Sequence, residues 1–237
     1  MHKLLTIVIP TYNEEKYIAR TLYAIVAQSK TTGIQIIIAD ARSTDNTRLI
    51  VESIGFELGL NIKIIDGGLP AVGRNAGAKL ATTPYILFLD ADVTFTNRQV
   101  IKDSLNEIIT GDYKMLSTTP VYKGGFDVRA SIMFGLNKYV TWFLSKVEPF
   151  AIGGFTMVNR RIFNSLGGYD EKATQSEDWL LSKQIKPNKF KLIPDLITQD
   201  NRRFKRYGYF SMVKLLYTNW RNRNNTEHFY KDQGYWK

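Results

Sequence analysis

Four short apolar runs, each followed by a stretch with helical periodicity or a polar turn, organise the first 95 residues. Leu4 to Ile9, Ile34 to Ala39, Ile62 to Ile65 and Tyr85 to Leu89 are rich in Ile, Val and Leu with few polar interruptions. Runs of that kind suit strands covered on both faces, as in a parallel sheet. Between them, Glu14 to Gln28 sets Tyr17, Ile18, Leu22, Ile25 and Val26 on one helical face, and Asp45 to Leu58 and Ala71 to Leu80 supply two further crossovers. The repeated βαβ unit predicts an α/β fold built on a doubly wound, mostly parallel sheet.

In open sheets of this kind ligands bind beyond the carboxyl ends of the strands. Those ends read Pro10-Thr-Tyr-Asn-Glu-Glu15, Asp40-Ala-Arg-Ser-Thr-Asp-Asn-Thr47, Asp66-Gly-Gly-Leu-Pro-Ala-Val-Gly-Arg-Asn75 and Asp90-Ala-Asp92. Taken singly, Thr11, Asn13, Ser43 and Asp45 are ordinary helix caps, and Asp66-Gly-Gly and Asp90-Ala-Asp92 are ordinary turns. Four consecutive strand ends with polar and acidic groups on one rim are less ordinary. Neither GxGxxG after the first strand nor a P-loop is present, so a nucleotide here would be gripped by side chains and a metal rather than by a glycine-rich loop.

The remaining composition narrows the chemistry. The chain has 237 residues, no cysteine and two histidines, His2 and His228, near opposite ends. Zinc sites and histidine-based catalysis are thereby disfavoured, leaving carboxylates, arginines and a hard metal ion. The formal net charge is +10, and from Lys183 onward 13 Lys and Arg face 4 Asp and Glu, so +9 of it lies in the C-terminal quarter. Such a block can be a solvated face or can meet anionic partners. The first apolar run is too short for a secretory signal and no segment has the length of a membrane span, which gives the expectation of a cytoplasmic chain.

Read in order, Ile9-Pro-Thr-Tyr-Asn-Glu14, Asp40 with Ser43-Thr-Asp45, Gly73-Arg-Asn-Ala-Gly77 and Phe88-Leu-Asp-Ala-Asp92 resemble the nucleotide-sugar half of the family 2 glycosyltransferases, which have the GT-A fold. Gly153-Gly-Phe-Thr-Met-Val-Asn-Arg-Arg-Ile-Phe163, Leu166-Gly-Gly-Tyr-Asp170 and Ser176-Glu-Asp-Trp179 resemble the acceptor half of the same family. The resemblance implies a GT-A domain over residues 1–206, split into a nucleotide-sugar half (1–95) and an acceptor half (96–206), with a basic amphipathic tail over 207–237. It also implies metal-dependent, inverting transfer of one sugar from a UDP- or GDP-sugar. Asp92 would hold Mg2+ or Mn2+, with Asp90 sharing the ion or meeting the ribose. Pro10, Thr11, Tyr12, Glu14, Asp40, Ser43 and Ala91 would line the base and ribose pocket, and Arg74 would lie near the base or diphosphate. A departing diphosphate needs its growing negative charge neutralised, which is what a divalent ion on an aspartate supplies.

By the same resemblance Asp178 is the general base and Glu177 positions the acceptor or the base; the alternative for the pair is an acidic first helical turn, Asp178 to Ile185, favoured by the helix dipole. Gln199-Asp-Asn-Arg-Arg203 resembles the Gln-x-x-Arg-Trp element of processive members, with Arg203 where tryptophan belongs, so single transfer is expected; Arg202 and Arg203 are candidate diphosphate ligands.

Two amphipathic stretches bear on the acceptor. One carries Ile132, Leu136, Tyr139, Val140, Phe143 and Val147 at helical spacing, opposite Asn137, Lys138, Thr141 and Ser145; the other is Tyr209 to Trp220, flanked by Lys214, Arg221 and Arg223. The plain expectation is that both pack on the core. The sharper one is peripheral contact with an anionic membrane on its cytoplasmic face and a glycan or lipid-linked acceptor. Two rivals stay open: a sugar nucleotidyltransferase, although Pro10-Thr-Tyr-Asn-Glu stands where its glycine-rich loop would be, and a non-catalytic basic module for membrane or nucleic acid. No nucleic acid partner is expected, because that module leaves the acidic rim without a purpose.

Overall fold

A computed structural model describes residues 1–231, apart from the side chain of Arg203. Strands β1 (Leu5–Thr11), β2 (Gln35–Asp40), β3 (Ile62–Asp66) and β4 (Tyr85–Leu89) alternate with helices α1 (Ile18–Val26), α2 (Thr47–Glu57) and α3 (Pro70–Leu80). There follow β5 (Thr94–Phe95), α4 (Val100–Thr110), β6 (Met115–Ser117), β7 (Val121–Tyr122) and α5 (Val128–Leu144). The chain continues with β8 (Phe155–Asn159), α6 (Arg160–Ser165), α7 (Glu177–Ser182), β9 (Phe190–Leu192), β10 (Ile197–Gln199), α8 (Arg202–Tyr207) and α9 (Tyr209–Arg221).

The seven-stranded sheet runs β3-β2-β1-β4-β8-β6-β9, with β8 antiparallel to both of its neighbours and the other pairs parallel. A second sheet of three short strands, β5-β10-β7, lies beside it. The apolar runs form the central strands because both sheet faces are covered: Leu5, Ile7 and Ile9 join one buried cluster with Ile18, Leu22 and Ile25 of α1, while Val8, Ile37, Ile86 and Phe88 join another with α3. Gly77 lets α3 lie close on β1, since a Cβ there would stand 2.3 Å from Val8 Cγ1. The order 3-2-1-4 reverses direction between β1 and β4, and their carboxyl ends therefore flank the crevice where such sheets bind ligands.

The two amphipathic stretches depart from the expectation of core packing. On α5, Ala130, Phe134 and Thr141 are buried, whereas Ile132, Leu136, Tyr139, Val140 and Phe143 are exposed, with Phe143 68% exposed. The reason is that α5 is apolar on both sides, and its inward side is filled by Phe134 against Tyr122 and Phe204. On α9, Met212 and Asn219 are buried and Phe210, Val213, Leu216, Tyr217 and Trp220 are exposed. Part of the expected tail is nevertheless built into the fold, because Phe229 is fully buried against Trp179. No helix among the described residues is long and apolar enough to cross a membrane.

Candidate functional site

The loops after β1 and β2 are laced together before any ligand is considered. Asn13 N–H donates to Ser43 Oγ at 3.0 Å, Thr44 N–H to Asn13 Oδ1 at 2.8 Å, and Glu15 N–H to Asp45 Oδ2 at 3.1 Å. Asn13 and Arg42 take left-handed conformations, φ 52° and 60°, which non-glycine residues hold only where surrounding contacts over-determine them. Thr21 of α1 donates to the carbonyls of Ala91 and Val93 at 2.7 and 3.0 Å, and Arg20 to the carbonyl of Asp92 at 3.0 Å, so the acidic turn after β4 is fixed from below.

These loops enclose a cavity of about 750 Å³ at the switch point, bordered by Pro10, Thr11, Tyr12, Glu14, Asp90, Ala91, Asp92 and Arg202. That size suits a nucleotide-sized ligand. Eight of the candidates named from the sequence thus share one wall system. Gly68, Leu69, Pro70, Arg206 and Tyr207 also border it; their sequence carried no chemical signal beyond turn and basic character.

Asp40, Ser43 and Arg74 do not border this cavity. Asp40 is fully buried and its carboxylate accepts from Thr11 Oγ1 at 3.2 Å, Ser43 N–H at 3.1 Å and Ser43 Oγ at 2.6 Å. Asp40 and Ser43 therefore brace the loop, and Asp40 could reach a base only if Ser43 released it. Arg74, expected near the base or diphosphate, is 2% exposed and sits behind the cavity wall. The side chain of Arg203 falls outside the described residues.

Arg74 organises the second part of the site. Its Nη1 donates to Glu177 Oε1 at 2.6 Å and lies 3.5 Å from Asp178 Oδ2, while Nη2 donates to Asp90 Oδ1 at 2.8 Å. Its guanidinium also faces the Tyr169 ring at 5.3 Å. The neighbouring Asn75 clasps Tyr169 from both sides, donating to its carbonyl and accepting from its N–H, each at 2.9 Å. The pair Arg74-Asn75 thereby joins α3 to the segment 169–178.

Burial pushes the Asp178 carboxyl up to about 7, against the pull of Arg74 and with help from the charges of Glu177 and Asp90. Asp178 Oδ1 and the Tyr169 hydroxyl are both buried without a well-formed hydrogen bond. Burial, then the Asp178 charge, holds the Tyr169 phenol well above its usual value. Gly153 keeps the approach to this group clear: a Cβ there would stand 2.9 Å from Asp178 Oδ2 and 3.7 Å from Asp90 Oδ2. The turn presenting Glu177 and Asp178 starts at Ser176, in the left-handed region at φ 56°. It is braced by Asn219 of α9, which donates to Ser176 Oγ at 3.0 Å and meets His228 Nε2 at 2.9 Å.

On the cavity side, Arg202 forms a two-pronged pair with Glu14 at 2.8 and 3.0 Å and reaches Asp92 Oδ2 at 2.9 Å. Burial raises the Glu14 carboxyl, and Arg202 opposes that shift. A cluster of three or more Asp, Glu or His able to cage an ion is absent among the described residues. The donor set still fits a hard divalent ion of the kind that takes one or two protein carboxylates and completes its shell with substrate phosphates and water. Asp92 and Asp90 leave one turn, they open on a nucleotide-sized cavity, and Asp92 already holds a cationic side chain.

Residues 6–167 match the profile described as "Glycosyl transferase family 2". The chain belongs to this family. It is 29% identical over 178 residues to a 4,4'-diaponeurosporenoate glycosyltransferase of Staphylococcus aureus (strain USA300), covering 71% of this chain and 47% of that relative. The chain thus spans about half the length of the curated relatives it matches. Among solved structures, S. aureus TarS 1–349 in complex with UDP-GlcNAc superposes with a TM-score of 0.65 at 22% identity, covering 84% of this chain and 59% of TarS 1–349. The mannosyltransferase PcManGT from Pyrobaculum calidifontis, in complex with GDP-Man and Mn2+, gives 0.66 at 18% identity, covering 90% and 64%. The fold is GT-A, as the family 2 motifs imply.

Proposed function

We propose that the protein is a metal-dependent, inverting glycosyltransferase that moves one sugar from a nucleotide diphosphosugar to an acceptor hydroxyl or phosphate. The observation that carries this reading is the pairing of an acidic turn on a nucleotide-sized cavity with a buried carboxyl, Asp178, that lies beside the side-chain-free Gly153. Asp92 and Asp90 would hold the divalent ion, which when bound supplies charge neutralisation for the departing diphosphate. Pro10, Thr11, Tyr12 and Glu14 border the space for the base and ribose.

In the transfer, Asp178 accepts the acceptor's proton as the acceptor oxygen attacks the anomeric carbon from the face opposite the diphosphate. The bond from that carbon to the diphosphate oxygen breaks, and its electron pair leaves with the nucleoside diphosphate. One displacement inverts the anomeric centre. A carboxyl held near neutral pH suits this task, since a base works best with its pKa near the operating pH. Arg74 and Glu177 touch neither donor nor acceptor in this scheme; they fix the height and direction of Asp178.

Calorimetric titration of UDP and GDP with Mn2+, Mg2+ or EDTA, into wild type and Asp92→Ala, tests the donor site. One nucleotide is expected to bind only with metal, and Asp92→Ala to weaken it by about tenfold or more, the loss that even outer-shell metal-site changes produce. Failure of both nucleotides to bind under any metal condition would overturn the reading.

The outward face of α5 favours a second element, a membrane-presented acceptor. Ile132, Leu136, Tyr139 and Phe143 are exposed together, and residues 201–226 contain Lys205, Arg206, Lys214 and Arg221 without one acidic residue. An exposed apolar helix face on a chain with a basic C-terminal segment suits an anionic lipid surface. Flotation is expected with vesicles containing phosphatidylserine and to be lost with purely zwitterionic vesicles and in Phe143→Ser/Leu136→Ser; equal recovery with both lipids, or none at moderate salt, would remove this element.

A further inference from the structure

Two carboxylates from different loops share one guanidinium across the cavity. Glu14 follows β1 and Asp92 follows β4, and Arg202 at the start of α8 bridges them, with the Tyr17 ring 4.5 Å from its guanidinium carbon. The bridge stands at the mouth of the cavity: Arg202 is 38% exposed at its side chain, whereas Asp92 is 7% exposed. Its own backbone is set by Asp200, whose Oδ1 accepts from Arg202 N–H at 2.9 Å. The guanidinium therefore takes up the oxygen of Asp92 that faces it, Oδ2, and two cations cannot share that oxygen without strong mutual repulsion.

We propose that Arg202 is a displaceable latch that holds the cation position at Asp92 until donor and metal arrive together. The inference rests on the donor site proposed above. A divalent ion that takes Asp92 Oδ2 on its own displaces the guanidinium and leaves it without its Asp92 contact. An ion arriving with a nucleoside diphosphate brings phosphate oxygens that a planar two-pronged group can meet in parallel, so the expelled arginine gains a partner as it loses one. Metal and nucleotide then assist each other through Arg202, and the assistance is reciprocal by linkage. Arg202 is carried on α8, which also brings Arg206 and Tyr207 to the cavity wall.

Free Mn2+, followed by its electron paramagnetic resonance signal, separates the possibilities without an activity assay. Wild type, Arg202→Gln and Arg202→Lys are titrated with Mn2+ alone, then with UDP or GDP. Arg202→Gln is expected to bind Mn2+ alone about tenfold more tightly than wild type, and to lose about tenfold of the enhancement that nucleotide gives, within the usual span of coupling between sites. Arg202→Lys, a point charge unable to bridge both carboxylates, is expected to fall between them. Mn2+ affinity in Arg202→Gln that equals or falls below wild type, or an unchanged nucleotide enhancement, overturns the latch while leaving the donor site standing. Absence of Mn2+ binding in wild type and variants, even with either nucleotide, overturns the donor site and the latch with it.

Discussion

Arg74→Met is expected to lower stability by about 3–5 kcal/mol at pH 8, the range for breaking a buried ion pair by removing one partner, and by clearly less at pH 5. Arg74 is the cation that Asp90, Glu177 and Asp178 face in common, and Glu177 and Asp178 are 5% and 9% exposed at their side chains. Methionine fills much of the volume, so the loss comes from uncompensated charge rather than from a cavity. The pH dependence follows from linkage. Without the guanidinium, the Asp178 carboxyl, already raised by burial, rises further in the folded state, while in the unfolded chain it stays near about 4. Between those values the folded protein binds more protons than the unfolded one, so stability falls as pH rises. Urea midpoints at pH 5 and pH 8 measure the difference. An equal loss at both pH values would mean that Arg74 acts by packing alone.

That result also bears on what could be read from the chain. The four strands and the acidic turn at Asp90-Ala-Asp92 were legible because apolar runs and turn residues are local signals. The family 2 pattern was legible because its motifs come in a fixed order. Arg74 stood inside one of those motifs, yet nothing local shows that its fork crosses 103 residues to Glu177. The Glu14–Arg202 pair spans 188 residues and was equally invisible; both ends read as donor-site residues, and their contact with each other did not. Tyr169, Gly153 and Asn219 act by shape and by buried hydrogen bonds, for which residue type alone gives no sign. Gly153 stands within a family motif, and its meaning lies in the missing Cβ beside Asp178. Helix α5 shows the opposite limit. Periodicity correctly found its apolar face, but a helix apolar on both sides does not say which side is covered, and Phe134 with Ala130 took the inner place.

Asp178→Asn separates catalysis from stability more sharply than any other single change. Turnover is expected to fall about 10²- to 10⁴-fold, the usual worth of a positioned general base. Water can stand in for the acceptor, so nucleoside diphosphate release from the donor gives the rate. In wild type the rate should rise with pH through about 7 as Asp178 ionises, and in Asp178→Asn that ascending limb should disappear. Stability should move the other way. A carboxyl whose folded value lies above its unfolded one is best tolerated when protonated, and it costs stability progressively as pH rises from the unfolded value through about 7. Asparagine mimics the protonated form at every pH. The variant should therefore melt at or above the wild-type temperature at pH 8, and the two should converge at pH 5, where wild-type Asp178 is already neutral. A variant that loses turnover and also melts lower at pH 8 would indicate that Arg74 needs the Asp178 charge for the fold, and the general-base assignment would then lose its physical support. If turnover stays within about tenfold of wild type, the proton has another destination. Glu177, already committed to Arg74 at 2.6 Å, is poorly placed to be that destination.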